Sequence, residues 1–175
     1  MPNYVENEIT IMGNKETLNE IFEKYFSDYP VSTDEPSKLS KRMFDFNLII
    51  PIPEELNKTE SPNSVNAEEM IEKYGYPDWY KWRIANWGVK WNSEPYGDID
   101  LNDNELLFGF ETPWGTPDKV LSELSKKYPD ITIIDDCKEE AGFFAGKIIY
   151  KNGETDDSDL HPVDMADIDN EDEDE

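Results

Sequence analysis

Two residue types that carry much of enzyme chemistry are nearly missing from this chain. Its 175 residues include one cysteine, Cys137, and one histidine, His161. A lone cysteine cannot close an internal disulfide, which suits a reducing compartment. One Cys and one His also fall short of the ligand set that zinc needs. His161 sits in an acidic C-terminal stretch far from any candidate nucleophile, so a Ser-His-Asp or Cys-His mechanism has no base. The nine glycines are scattered and form no phosphate-cradling loop. Positive charge is scarce as well, with 16 Lys and Arg against 41 Asp and Glu and a net charge of −25. Affinity for phosphates comes mainly from Lys and Arg, which argues against direct nucleic-acid binding and against an anionic membrane surface. No apolar run approaches the ~20 residues of a membrane span. The opening "MPNYVENEITIMG" lacks the basic start and apolar run of a signal peptide. These absences predict a cytoplasmic, non-enzymatic protein without metal or cofactor, and the acidic excess favours a basic partner.

What is present is acid, aromatic mass and clear periodicity. Residues 154–175 carry twelve of the acidic residues and no Lys or Arg; without those twelve, the net charge of −25 becomes −13. The chain therefore reads as a domain over residues 1–153 and a disordered acidic tail over 154–175, because like-charged polar segments bury too little to offset ordering entropy. In "YVENEITIMG" Val5, Ile9 and Ile11 alternate with Glu6, Glu8 and Thr10, the pattern of a half-buried strand. Asn14 then caps a helix whose stripe is Leu18, Ile21, Phe22, Tyr25 and Phe26. A polar loop over residues 32–41 leads to "MFDFNLIIPIP", read as a second strand ended by its prolines. Asn66 with Glu69 suggests a capping box, Asp78 a cap for the next helix and Gly88 its left-handed terminus. "ELLFGFETPW" reads as a strand, Thr116 and Pro117 open a helix, and "DITIIDD" and "GFFAGKIIYKNGE" close the pattern as two strands. Two split βαβ halves around a helical insertion predict an α+β, ferredoxin-like sandwich.

Four of the five tryptophans fall within thirteen residues, in "DWYKWRIANWGVKW". At helical spacing such rings are usually core. An alternative is a ligand pocket lined by Trp87, Trp91 and Trp114, with Asn86, Lys90 and Asn92 as its polar groups.

"MPNYVENEITIMG", "FNLIIPIPEEL", "YGYPDWYKWRIANWGVKW" and "FETPWGTP" together resemble, in order and over residues 1–150, the motifs of YubB-type ferredoxin-like proteins carried by phages and plasmids. The resemblance implies a ferredoxin-like fold and a mobile-element accessory role. It brings no established activity and no catalytic residue.

Two acidic clusters remain. "DIDLNDNE" spaces Asp98, Asp100 and Asn102 like a calcium loop, but Asp103 stands where glycine is needed, and the stretch reads as an acidic turn. Asp135, Asp136, Glu139 and Glu140 could hold Mg²⁺ through oxygens, as an undetected metal enzyme would require; a solvated hairpin tip is the simpler reading. Asp98, Asp100, Asp103, Asp135, Asp136, Glu139 and Glu140 are therefore candidates for contact with a partner. The expected function is an acidic phage or plasmid protein that occupies the basic cleft of a nucleic-acid-handling host protein. Nucleic-acid mimicry against a defence nuclease, of restriction or CRISPR type, is its sharpest form. A nucleotide or small-ligand module built on the tryptophans is the alternative.

Overall fold

The computed structural model describes residues 1–29 and 41–163. The loop expected over residues 32–41 and the last part of the acidic tail lie outside the described residues, apart from Lys41.

The alternating N-terminal segment is strand β1 (Tyr4–Met12), and its inward Val5, Ile9 and Ile11 are buried. Helix α1 (Lys15–Tyr25) follows, with the Asn14 side chain accepting from the Thr17 amide as expected. The chain then forms a two-stranded ribbon, β2 (Phe26–Tyr29) with β3 (Lys41–Phe44), and four short helices: α2 (Phe46–Ile49), α3 (Glu54–Asn57), α4 (Ala67–Tyr74) and α5 (Trp79–Trp87). It returns through β4 (Glu94–Leu101), β5 (Glu105–Pro113), α6 (Asp118–Lys127), β6 (Thr132–Glu139), β7 (Ala145–Lys151) and β8 (Glu154–Asp156).

Six strands make one antiparallel sheet in the order β4-β5-β1-β6-β7-β8. β1 lies between β5 and β6, so each of two crossovers, one through α1 and one through α6, skips a strand position. That is the ferredoxin-like split βαβ pair, extended by β7 and β8. Leu18 and Ile21 of α1 and Val120, Leu121 and Leu124 of α6 join the inward residues of β1 in one buried cluster.

Where the sequence reading departs from the structure, local pattern has yielded to packing. "MFDFNLIIPIP" is a strand only to Phe44. Asp45 then caps α2 by accepting from Asn47, and Phe46 and Ile49 are buried as a helical turn. The second strand of the main sheet is instead β4, whose second half overlaps the stretch Asp98 to Glu105 read as an acidic turn. β4 is an edge strand with most residues exposed or half-exposed, and its pairing shifts register between Tyr96 and Asp100, so it carries little hydrophobic signal. The capping box at Asn66 does not form; Asn63 accepts from the amides of Val65 and Asn66 in a turn before α4. Thr116 donates to Asp118 instead of capping α6. The body also runs past residue 153. β8 pairs with β7, Leu160 packs on the core, and His161 exchanges two backbone hydrogen bonds with Ala145.

The tryptophan helix answers its own question. Trp82 and Trp87 are buried, and their rings meet edge to face at 5.9 Å. Trp87 packs on Phe46 at 5.8 Å, and Phe46 on Phe110 of β5 at 5.6 Å. The Trp87 indole donates to the Ile50 carbonyl at 2.9 Å, which satisfies its one polar atom. The inserted helices are thus fastened to the sheet by aromatic contact. Gly88, at φ +89, ends the helix in the left-handed region as expected.

Candidate functional site

The expected tryptophan pocket divides into a core part and a surface part. Trp87 faces the core, and Asn86 spends its amide on the Trp82 carbonyl. Asn92 accepts from the amides of Phe46 and Ser93 and donates to Asp45, so it ties α2 to the start of β4. On the surface, Trp91 and Trp114 are 40% and 53% exposed. Lys90 places its ammonium 3.9 Å from the centroid of the Trp91 ring and 4.3 Å from that of Trp114, a double cation–π contact. Trp114 holds φ +63, which a bulky side chain rarely adopts, and its amide donates to the Asn3 carbonyl at 2.8 Å.

Beside Trp91 opens a cavity of about 410 Å³. Among the described residues its walls are Tyr4, Trp91, Asn92 and Pro113, and its charged groups are Glu94 and Glu111. Of the residues assigned to the pocket from sequence, only Trp91 and Asn92 line it. Tyr4, Glu94, Glu111 and Pro113 were missed, because they come from three strands and meet only through sheet register.

That register builds an acidic face. Glu94 of β4 lies opposite Glu111 of β5, and Glu111 lies opposite Glu6 of β1. With strands about 4.8 Å apart, three carboxylates stand in one row across the side of the sheet that faces away from the core. Lys138 of β6 occupies the next position. One step along, Glu8 faces Asp136, and Asp136 pairs with Lys147 at 3.8 Å. Asp98 and Glu8 line a shallow groove with Tyr96. Asp98 and Asp100 are exposed on edge strand β4. Asp103, in the following turn, pairs with Lys15 at 2.8 Å. Partial burial first, then the charges of Glu6, Glu140 and Glu94, hold the Glu111 carboxyl above its ordinary range.

The four acids read as one hairpin tip separate by strand alternation. Asp136 points outward, whereas Asp135 is buried between Ile9 and Ile148 in register. Neither Asp135 oxygen has a hydrogen-bond partner, and burial, reinforced by Asp118 and Asp136, raises its carboxyl well above the usual range. Burial likewise pushes the Cys137 thiol up to about 12. Glu139 is buried too, and one of its oxygens accepts from the amides of Ala141 and Phe143, closing the β6–β7 turn. Glu140 accepts from the Tyr4 amide. The four carboxylates do not converge, and no group of three or more potential metal ligands forms among the described residues.

Residues 86–175 match the profile described as the ferredoxin-like domain in Api92-like protein. The chain belongs to this family. The matched region starts at the end of α5 and takes in β4 to β8, so it holds most of the sheet. The crystal structure of a protein Api92 from Yersinia pseudotuberculosis is similar with a TM-score of 0.62, over 94% of this chain and 99% of that one. At 11% identity, that likeness shows the shared fold alone. No curated protein matches. The resemblance read from the sequence thus holds at the level of a ferredoxin-like family, and the family shown is the Api92-like one. Among the described residues, no helix is long and apolar enough to cross a membrane.

Proposed function

We propose that this protein is a non-enzymatic binding protein that presents the acidic face of its sheet to a basic nucleic-acid-handling partner. The carrying observation is the row Glu94, Glu111 and Glu6 at adjacent register positions, continued by Glu8 and Asp98. Like charges directly opposite on neighbouring strands are destabilising. A sheet that keeps them on its uncovered face gains if they meet positive charge elsewhere. Carboxylates about 4.8 Å apart across strands and about 6.8 Å apart along one form an anionic lattice on the scale of a nucleic-acid backbone. A bacterial cytoplasm, a phage or plasmid origin and inhibition of a defence nuclease by mimicry are the finer parts of this reading. They rest on the sequence resemblance and the acidic composition.

The test compares the wild-type chain with the Glu6→Gln, Glu8→Gln, Glu111→Gln triple variant as immobilised baits in a bacterial lysate. The wild type should capture nucleic-acid-binding proteins that added DNA displaces, and the triple variant should lose them. Capture should weaken as the Debye length shrinks from about 10 Å at 0.1 M salt to about 3 Å at 1 M. Capture that is equal for the two baits and insensitive to salt and DNA would overturn the proposal.

A further inference from the structure

We propose that the cavity walled by Tyr4, Trp91 and Pro113 receives the guanidinium group of an arginine side chain on the basic partner, stacked against Trp91 and paired with Glu94 and Glu111. This deepens the binding reading above and rests on it. Four observations lead to this occupant.

The first is shape, since the cavity of about 410 Å³ is large enough to admit a side chain rather than a lone ion. The second is charge. Glu94 and Glu111 face each other in register, and Glu111 is crowded further by Glu6 and Glu140. An anion would be repelled there. The third is Trp91 itself, part-exposed and lining the cavity. A bare divalent cation seeks oxygen ligands on several sides, and an indole wall supplies none. A planar guanidinium stacks on an aromatic ring and also forks toward carboxylates, which a lysine ammonium does less well. The fourth is Lys90, whose ammonium already lies over Trp91 and Trp114 and shows that these rings accept a cation. The site is also held in place. The Tyr29 hydroxyl donates to Glu94, and the Asn92 side chain is fixed by Phe46, Ser93 and Asp45.

The probe is N-acetyl-arginine amide, titrated into the full ¹⁵N-labelled chain while the five tryptophan indole signals are followed. A saturable shift of the Trp91 indole is expected, with N-acetyl-lysine amide binding several-fold more weakly. Glu111→Gln, read from the Trp91 indole, and Trp91→Ala, read by calorimetry because it removes that reporter, should each weaken arginine binding roughly tenfold or more, a loss of about 1.4 kcal/mol for each tenfold. Glu72→Gln, exposed on α4 rather than on the sheet, should leave binding within about twofold, a difference of roughly 0.4 kcal/mol. The remaining indole signals report whether each variant is folded. A linear, non-saturating shift, or equal affinity in wild type and Glu111→Gln, would overturn the site. If lysate capture is charge-dependent while arginine amide fails to saturate, the pocket falls and the basic-partner reading stands. If arginine amide saturates while capture ignores charge, the pocket stands and the partner reading falls.

Discussion

Replacing Asp135 by Asn should remove a pH-dependent loss of stability that the wild-type chain carries. Asp135 is fully buried between Ile9 and Ile148, and neither carboxylate oxygen finds a hydrogen-bond partner. Burial is the main cause of its raised pKa, and Asp118 at the start of α6 and Asp136 beside it add to the effect. Tyr150 of β7 and Cys137 of β6, also buried on this side, are themselves raised and stay protonated in the same range. In the unfolded chain the Asp135 carboxyl loses its proton near its ordinary value of about 3.9. Above that pH the native state holds one proton that the unfolded state has shed. The sign follows: stability falls as pH rises, by about 1.4 kcal/mol per unit, until the folded carboxyl itself ionises. Asn cannot titrate, so the gap between variant and wild type should be near its minimum in acid. It should then widen by up to about 1.4 kcal/mol per unit as the pH rises above the unfolded carboxyl's ordinary value, until the folded carboxyl ionises. Urea unfolding at stepped pH measures this, and carboxylates shared by both proteins cancel in the difference. A gap that stays constant across the range would show that Asp135 is solvated or paired, and would refute the argument.

Trp87→Ala should cost about 3–5 kcal/mol, whereas Trp114→Ala should cost no more than about 1 kcal/mol, because one ring is core and the other lies over Lys90 on the surface. Comparable losses in denaturant unfolding would contradict that division. Gly109→Ala would set a Cβ 2.5 Å from Tyr96 Cε2, so the ring that covers this glycine must move. A drop of about 1–3 kcal/mol is expected, and an unchanged melting temperature would show that Tyr96 does not lie there. Leu160→Ala should lower stability by about 1–2 kcal/mol, since this side chain packs on the core from within the acidic C-terminal stretch. No change on thermal melting would mean that the body ends before it.

Elements whose signal is local are legible in the chain before it folds. β1, β5, β6 and β7 alternate with period two, α1 and α6 carry helical stripes, and Asn14, Asp78 and Gly88 mark helix ends by side-chain oxygen or left-handed φ. Helical spacing also marks the tryptophan cluster as mostly core, and Trp82 and Trp87 are buried there. Elements with weak local signal were decided by their neighbours. β4 is a strand because β5 offers it an edge, although Gly97 and its acids break any hydrophobic pattern. Phe46 to Ile49 turn as a helix because that brings Phe46 onto Phe110 and Trp87. Residues 154–163 join the body because β7 pairs with Glu154–Asp156 and His161 bridges to Ala145, contacts that their acidic composition does not announce. The candidate site was least legible of all. Alternation places Glu6 and Glu111 on polar faces of their own strands, but only sheet register sets them side by side, with Glu94 from a third strand. Register is a relation between segments, Glu6 with Glu111 across the length of the chain and Glu94 with Glu111 across one hairpin, and no local pattern encodes it.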